Sequence, residues 1–562
     1  MQSLARSSVP SVEMILFLLL FLAGASFHHP VEYDNTLSRY FLVSAVVDRG
    51  TLNIDAYQDR ILDKSYWDGH YYSNKAAGAP MLAIPVYWCL RHLSPWRDAV
   101  PPLSRIDQYI VRIVTTTLPF AILGIVMYRL AGAWGASPRR AYLMVLAYAF
   151  GSIALIHATM FSGHQMAACF TFFSFAILER QRLPAMPVPP GRQGYLPLLP
   201  HFAAGLCAGL AVLTDFTAVV IALFLTVYAL LRRFGIRAKL SFLAGGGICI
   251  AALAAYNMAC FGSVLSLSYA HMTHSTFQKG AAKGLLGLTL PDPLALAALL
   301  ASPSRGLFFT MPIFLLSLVG LAELSGRRDR LPSLLVMVAI IVGTILFVSG
   351  FYGWHGGWTF GPRYLVPVLP FLALPMAFGR WNALSYLSLL ALSLLQVGLA
   401  VVVVPHVPEQ ISNPIRELIL PSMADGYLTD NPGMLLGLRG PWSLIPVLGV
   451  LAAMGVWGLL RSRPSPSDAP APGGETREPV TPEARPRRGS DSSRVVASLL
   501  ALWAAVVILM LATTRTPSQT MLHYCRWRIL ISALDVKPSA QMQKAASREA
   551  HLAGIHLPGD SE

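Results

Sequence analysis

The sequence contains few charged residues and no pattern of paired cysteines. Only 13% of its 562 residues are charged, about half of the roughly 25% that is usual in soluble domains. The six cysteines have no paired spacing, and most lie in apolar runs, where cysteine behaves as a small hydrophobic residue. The sequence therefore supports neither a disulfide framework nor a zinc knuckle.

Several catalytic signatures are also missing. The chain has no GxxxxGK[ST] phosphate loop, no HExxH zinc helix and no GxSxG nucleophile elbow. No region is typical of a soluble nucleotide-binding domain, which argues against a nucleotide-sugar donor used inside the cell.

Long apolar runs, in contrast, occur throughout the chain. Hydrophobic residues make up 54% of the sequence, and runs of roughly 18 to 25 residues recur at the length needed to cross a bilayer as helix. We therefore predict an all-α polytopic membrane protein with about thirteen transmembrane helices. The predicted spans are 12–28, 106–129, 141–159, 164–180, 200–214, 216–232, 240–260, 306–324, 332–351, 364–379, 382–405, 441–461 and 495–513.

The net charge of +15 is a signal of topology. Arginine and lysine clusters fall in alternate short loops between the predicted spans, as the positive-inside rule requires. This predicts a cytoplasmic amino terminus and an outward carboxyl terminus. It also makes anionic lipid headgroups of the bilayer, and not nucleic acid, the expected partner. The first span can alternatively be a cleaved signal peptide, because Arg6 precedes it and small residues end it.

The chain divides into four predicted regions. Residues 1–461 form the transmembrane region, with a long first outward loop at 29–105. Residues 462–493 are a cytoplasmic linker rich in proline, serine and charge, which is expected to be disordered. A last span at 494–513 and an outward tail at 514–562 follow, and the sequence assigns no role to that tail.

The first outward loop is acidic and aromatic. Within it, TLSRYFLVSAVVD predicts an amphipathic helix that Asn35 or Thr36 can cap and Gly50 can end. The run from Met81 to Leu93 is too short for a secure span and predicts a second helix at the membrane interface. The polar residues of the chain thus concentrate in one outer layer.

Five motifs follow one another on this outer side. They are YDNTLSRY, GHYYSNKAAGAP, GLAVLTDFT, LLASPSRGLFF and GGWTFGPRYLVPVLPF. In this order, over residues 12–405, the chain resembles the polyprenyl-phosphate-sugar-dependent glycosyltransferases of the GT-C superfamily, in particular the protein mannosyltransferases and aminoarabinose lipid A transferases.

The resemblance implies a GT-C fold and the inverting transfer of a sugar from a polyprenyl-phosphate donor to a cell-envelope acceptor, a lipid, glycan or protein. The reaction would take place on the outer face of the plasma or inner membrane. It needs a base for the acceptor's proton and cations for the departing phosphate.

Asp34 matches the catalytic aspartate of the family's first loop and is the predicted base. The alternative is that Asp34 only stabilises a helix amino terminus. Many relatives carry two adjacent acids here, whereas this chain has Asn35 next. Glu32 could supply the second carboxylate, but this departure weakens the carry-over of a metal site. A divalent metal stays an open alternative with no ligands assigned.

Further residues of the outer layer are predicted to bind the donor. Arginine suits phosphate because its guanidinium donates two parallel hydrogen bonds, and Lys75 matches a loop lysine near the donor phosphate in the aminoarabinose transferases. The structural alternatives are a surface ion pair for Arg39, a snorkelling side chain for Lys75 and an interfacial ring for Tyr72. The predicted substrate-binding residues are Glu32, Arg39, Tyr72, Lys75, His164, Asp215, Arg305, His355 and Arg363.

Three points stay open at this stage. Asp215 lies close to where relatives carry a lysine, so its partner can be Lys75, His164 or Arg363. His271 and His274 can bind a metal or form a plain loop pair. The whole chain can alternatively be a polytopic transporter or lipid flippase, or a non-catalytic partner in a cell-envelope complex.

Overall fold

The computed structural model of the protein describes residues 11–29, 33–95, 97–181, 198–463, 519–534 and 540–555, with six further positions between 497 and 505. Helices dominate. Glu32, the predicted linker beyond residue 463 and most of the last predicted span lie outside the described residues.

Twenty-three α-helices follow one another along the described chain. In order they are α1 Val12–Ala25, α2 Asp34–Arg49, α3 Gly78–His92, α4 Arg105–Arg112, α5 Leu118–Ala133, α6 Pro138–Phe150, α7 Ala154–Ala158, α8 Gly163–Arg180, α9 Leu198–Thr214, α10 Val219–Leu231, α11 Ile236–Phe261, α12 Ser275–Ala281, α13 Pro293–Ala301, α14 Leu307–Thr310, α15 Leu315–Ser325, α16 Leu331–Ser349, α17 Leu369–Ala373, α18 Ala383–Val402, α19 Leu420–Ala424, α20 Pro432–Leu435, α21 Leu444–Arg461, α22 Gln519–Leu534 and α23 Ala540–Leu552.

Shorter helical turns connect these elements. The 3₁₀ turns are Asp55–Arg60, Phe216–Ala218, Ser268–His271, Pro312–Phe314, Arg328–Arg330, Arg363–Val368, Leu374–Ala377 and Gly440–Ser443, and the π turns are Ile113–Thr117 and Ile415–Ile419. The π turn at Ile113–Thr117 joins α4 to α5 without a break, so the two form one long rod.

Five helical stretches of the described chain are long and apolar enough to cross a membrane. They are Arg105–Ala133, Ile236–Phe261, Arg328–Ser349, Ala383–Val402 and Gly440–Arg461. Five shorter apolar helices accompany them: Val12–Ala25, Leu198–Thr214, Phe216–Leu231, Pro312–Ser325 and Arg363–Ala377. The protein is thus a helical, multi-pass membrane protein, and the count of thirteen spans stays a prediction.

Three predicted spans are interrupted in the structure. The predicted span 364–379 is a 3₁₀ turn, the five-residue α17 and a second 3₁₀ turn. Its prolines, Pro367, Pro370 and Pro375, remove backbone donors and prevent a continuous helix. The spans 141–159 and 306–324 are likewise each divided into two α-helices.

The outer loop contains both predicted helices and a small sheet that was not predicted. Helix α2 begins at Asp34, with Tyr33 as its cap residue, and not at Asn35 or Thr36. Gly50 ends it in the left-handed conformation, as predicted. Strands β1 (Lys64–Trp67) and β2 (His70–Ser73) pair antiparallel across Asp68 and Gly69, both with positive φ. Asp-Gly is a favoured pair for such a two-residue turn.

The carboxyl-terminal helices α22 and α23 form a hairpin that docks on this outer layer. Cys525 and Ile529 are buried within the main hydrophobic cluster of the protein. Arg526 lies 3.2 Å from Asp425 and 3.0 Å from the fully buried Glu549. The described part of the tail, to which the sequence assigns no role, is therefore an integral part of the fold.

Helices α9 and α11 pack through glycines. A Cβ atom added to Gly205 would lie 1.8 Å from the carbonyl oxygen of Phe242, and one added to Gly245 would lie 2.2 Å from that of Phe202. Close backbone approach at small residues is a common way for membrane helices to associate. This contact fixes α9, whose carboxyl end leads to Asp215.

We expect Gly205→Ala to destabilise the protein by about 1–3 kcal/mol, because the added methyl group forces two packed backbones apart. Gly247→Ala is the matched control, since a Cβ there meets nothing within 4 Å and alanine favours helix. Thermal unfolding in one detergent measures both variants. Equal melting temperatures for Gly205→Ala and the unchanged protein would contradict the packing described here.

Candidate functional site

Asp34 lies at the amino end of α2 but does not cap it. Its Oδ2 accepts a hydrogen bond of 2.9 Å from the backbone N–H of Leu62, on the other side of the outer loop. Burial raises the pKa of the Asp34 carboxyl, and the nearby Asp63 raises it further, while the Leu62 hydrogen bond and Lys75 act in the opposite direction. The net effect is a raised pKa, and hence a stronger base.

Asp63 and Lys75 form a buried ion pair beside Asp34. Lys75 Nζ lies 3.0 Å from Asp63 Oδ2, and Asn74 donates to the other carboxylate oxygen at 3.3 Å. Burial alone would raise the pKa of Asp63, but the charge and hydrogen bond of Lys75 more than offset it and the pKa is lowered. Burial lowers the pKa of Lys75 to about 8 in spite of Asp63.

Arg39 is buried, with 5% of its surface exposed, and is not the surface ion pair that was one alternative. Its Nη1 donates to the carbonyl of Asn35 at 2.7 Å and also to the Asn35 side chain. Its Nε is buried without a hydrogen-bond acceptor in the described chain. Arg39 thus secures the first turn of α2 and does not bond Asp34 itself.

Arg363 is held against a glycine in the loop that follows α16. Gly356 has φ +77°, and a Cβ added to it would lie 3.0 Å from Arg363 Cγ. The guanidinium donates to the Tyr364 hydroxyl at 3.3 Å, while its Nε is buried with no acceptor among the described residues. In the described chain no carboxylate forms an ion pair with it, so Arg363 is a partly buried cation with unused hydrogen-bonding capacity at Nε.

Arg305 occupies a similar place but is already engaged. Its guanidinium donates to four backbone carbonyls, those of Ser304, His355, Gly357 and Val407, at 2.6–3.2 Å. It therefore ties the loop that carries Arg363 to the segment after α18. The phosphate role predicted for Arg305 stays a prediction, and the geometry gives that residue a positioning role.

His355, in the same loop, contacts an acid that the sequence did not indicate. Its Nδ1 lies 3.0 Å from Glu409 Oε2 and 3.0 Å from the backbone nitrogen of Gly357. Nδ1 can donate to the carboxylate when it carries a proton, or accept from the Gly357 N–H when it does not. The hydrogen bond from His355 lowers the pKa of Glu409. The imidazole thus braces the glycine-rich loop from its exposed side.

His164 and Asp215 are brought together where α8 begins and α9 ends. His164 Nδ1 hydrogen-bonds Asp215 Oδ2, so His164 is the partner of Asp215 among the three that the sequence left open. The other Asp215 oxygen accepts from the Thr217 N–H at 3.0 Å and from its hydroxyl at 2.9 Å. Tyr364 packs edge-on against His164, which links this pair to Arg363.

Two predicted groups lie elsewhere. Tyr72 points into an apolar cluster and packs on Phe261, with ring centroids 5.4 Å apart. His271 bonds Ser266 at 2.7 Å and packs on Trp67 and Phe261. Among the described residues no group of three or more His, Cys, Asp or Glu could hold a metal ion.

Three residues of this region were missed or not singled out. Asp63 is one acid among many in its loop, and its pairing depends on the β1–β2 turn, for which Asp68-Gly69 is the sequence signal. Tyr269 is buried close enough to Arg39 and Arg363 for both cations to act on its pKa. Arg528 of α22 lowers the pKa of Asp34, and only the docking of the hairpin reveals it.

Comparison with known proteins returns solved structures of the group that the motifs resemble. The chain resembles ArnT. One structure is ArnT from Cupriavidus metallidurans in the apo state, with TM-score 0.42 and 16% identity over 88% of this chain and 75% of that one. The other is ArnT of the same organism bound to undecaprenyl phosphate, with TM-score 0.41 and 14% identity over 96% and 87%.

No family profile and no curated protein matches the chain. At this level of similarity to ArnT, the function of the chain has to be argued from its own residues.

We expect Asp63→Asn to lower the pKa of Lys75 further below 8, because the buried ammonium loses its carboxylate. Removing one partner of a buried pair should also destabilise the fold by about 3–5 kcal/mol. NMR titration of methylated lysines measures the first effect and thermal unfolding the second. Asp59→Asn, at an exposed position, is the control and should change neither quantity.

Proposed function

We propose that this protein is a membrane glycosyltransferase that moves a sugar from a polyprenyl-phosphate donor to a cell-envelope acceptor. The observation that carries the proposal is that two opposite features lie near the same ion pair, Asp63–Lys75. Asp34 is a partly buried carboxylate with a raised pKa, on which Lys75 acts. Arg363 is a partly buried cation that acts on Lys75 and has no carboxylate partner in the described chain. A base and an anion site in the same region are what this transfer needs.

The donor phosphate fits the cationic side of the layer. Arg363 has an Nε–H with no acceptor in the described chain, and a phosphate oxygen can accept it. Lys75 lies close enough to Arg363 for the two charges to act on each other, so a phosphate between them would relieve their repulsion. Arginine and lysine together stabilise the negative charge that grows on the phosphate as the sugar leaves.

The transfer then needs one proton movement. The acceptor hydroxyl or amine attacks the anomeric carbon on the face opposite the phosphate, and the bond from that carbon to the phosphate oxygen breaks with its electron pair. Asp34 takes the acceptor's proton and later releases it to water. The products are the glycosylated acceptor, with inverted configuration, and polyprenyl phosphate.

The remaining buried groups keep these partners in place. Arg39 fixes the first turn of α2, and therefore the carboxylate that starts it. Arg305 and His355 hold the loop that presents Arg363. We place the site on the outer face of the cell membrane because the basic clusters predict the opposite loops to be cytoplasmic.

Sugar release from a panel of polyprenyl-phosphate sugars, with purified protein in lipid nanodiscs and crude envelope acceptor, tests the proposal. We expect Asp34→Asn to lower turnover of the productive donor by about 10²–10⁴-fold, since general base catalysis contributes that much. Asp98→Asn, whose side chain is 92% exposed, is the matched control. Full activity in Asp34→Asn would remove Asp34 as base, and a folded protein that turns over no donor would favour the transporter alternative.

The pH dependence of kcat/KM for the donor gives a second test. Lys75 carries its charge only below its pKa of about 8, so phosphate binding, and with it kcat/KM, should fall as the pH rises through that value. Lys75→Arg should move this alkaline limb to higher pH, because arginine stays protonated. The acid limb should lie above the ordinary aspartate value of about 3.9, since the Asp34 pKa is raised. An alkaline limb that does not move in Lys75→Arg would contradict the role of Lys75.

A further inference from the structure

A second concave site lies on the outer surface beside the charge cluster. It has a volume of about 430 Å³ and is lined by Tyr66 and Tyr71 of the β1–β2 hairpin and by the segment after α11, including His271, Thr273 and Gln278. Its walls combine aromatic faces with amide and hydroxyl groups. The proposed transfer assigns no role to it.

The hairpin presents aromatic rings to solvent. Tyr66 and Tyr71 are directly opposite each other in the sheet register, and their ring centroids are 5.0 Å apart. Tyr66 is 48% exposed, and the neighbouring Trp67 is 42% exposed with its ring 4.6 Å from that of His271. Tyr66 and Tyr71 share one face of the hairpin, because paired residues of an antiparallel sheet lie on the same side, and both line the pocket.

One short segment separates this pocket from the charge cluster. In the 3₁₀ turn Ser268–His271, Tyr269 lies near Arg39 and Arg363, while the next residues line the pocket. The Thr273 N–H bonds the Lys64 carbonyl at 3.2 Å, and Lys64 directly follows Asp63. Asp63 and Tyr66 are three steps apart along an extended chain, a distance of roughly 10 Å at about 3.3 Å per residue.

We propose that this pocket is an acceptor subsite that binds a gluco-configured oligosaccharide. A pyranose with equatorial hydroxyls has an apolar face of axial C–H bonds, which packs on an aromatic ring, and a rim of hydroxyls. The rings of Tyr66 and Tyr71 fit that face, and Thr273 and Gln278 can bond the rim. The inference rests on the proposed function and makes the acceptor a glycan chain that extends from the pocket to Asp34.

Binding is tested by calorimetry on the full chain in nanodiscs with a β-1,4-glucose tetrasaccharide and a mannose tetrasaccharide, whose axial hydroxyls spoil the apolar face. We expect the glucose ligand to bind at least tenfold more tightly. Tyr66→Ala should weaken that binding at least tenfold, and Tyr66→Phe should retain it. Trp88→Ala removes a ring of similar exposure, 46%, on α3 and should have no effect.

Turnover separates this inference from the proposed function. Tyr66→Ala should raise KM for the glycan acceptor at least tenfold but leave donor hydrolysis without acceptor unchanged. If the unchanged protein does not hydrolyse any donor, the proposed transferase function is wrong. Calorimetry still tests whether the pocket binds glycan in that case. Three results would each overturn the glycan site: equal affinity for both tetrasaccharides, no binding of either, or full affinity in Tyr66→Ala. The last result would identify the rings as a membrane-interface anchor.

Discussion

The cost of burying charge is the constraint on which the outer layer of this protein depends. Asp34, Asp63, Lys75 and Arg363 are withdrawn from water, and each such charge costs free energy unless an opposite charge or a hydrogen bond compensates it. Asp63 and Lys75 compensate each other. Within the part of the chain that the structure describes, Asp34 has only a backbone N–H as partner and Arg363 only a tyrosine hydroxyl. The two poorly compensated groups are the ones for which a substrate can supply the missing partner.

Two arginines at similar positions show what sequence alone could and could not predict. Arg305 and Arg363 both lie near the outer ends of apolar segments, and both were expected to hold phosphate. The structure distinguishes them by their partners, because Arg305 is surrounded by backbone carbonyls that come from residues 355–407. Partners that are distant in the sequence cannot be recognised from the residues around Arg305. A charged residue at the end of an apolar run, in contrast, is visible in the local sequence.

The helical, multi-pass architecture and the helix at Asp34–Arg49 were predictable because hydropathy and glycine stop signals are local. The His164–Asp215 pair was only one of three alternatives, since the relative rotation of α8 and α9 is set by packing. Asp63 was missed for a different reason. Its pairing with Lys75 requires the β1–β2 turn, and the Asp68-Gly69 signal for that turn was present but not used.

The carboxyl-terminal hairpin also contributes to the charge balance around Asp34. Arg528 reaches toward Asp34 from α22, which buried ion pairs with Asp425 and Glu549 hold in place. The charge of Arg528 lowers the raised pKa of Asp34. Because Arg528 belongs to a docked helix, we expect this effect to require the docking of the hairpin. The hairpin thus tunes the same carboxylate that the first loop positions. Residues far apart in the chain thus together set the proton affinity of Asp34, and the proposed transfer depends on that affinity.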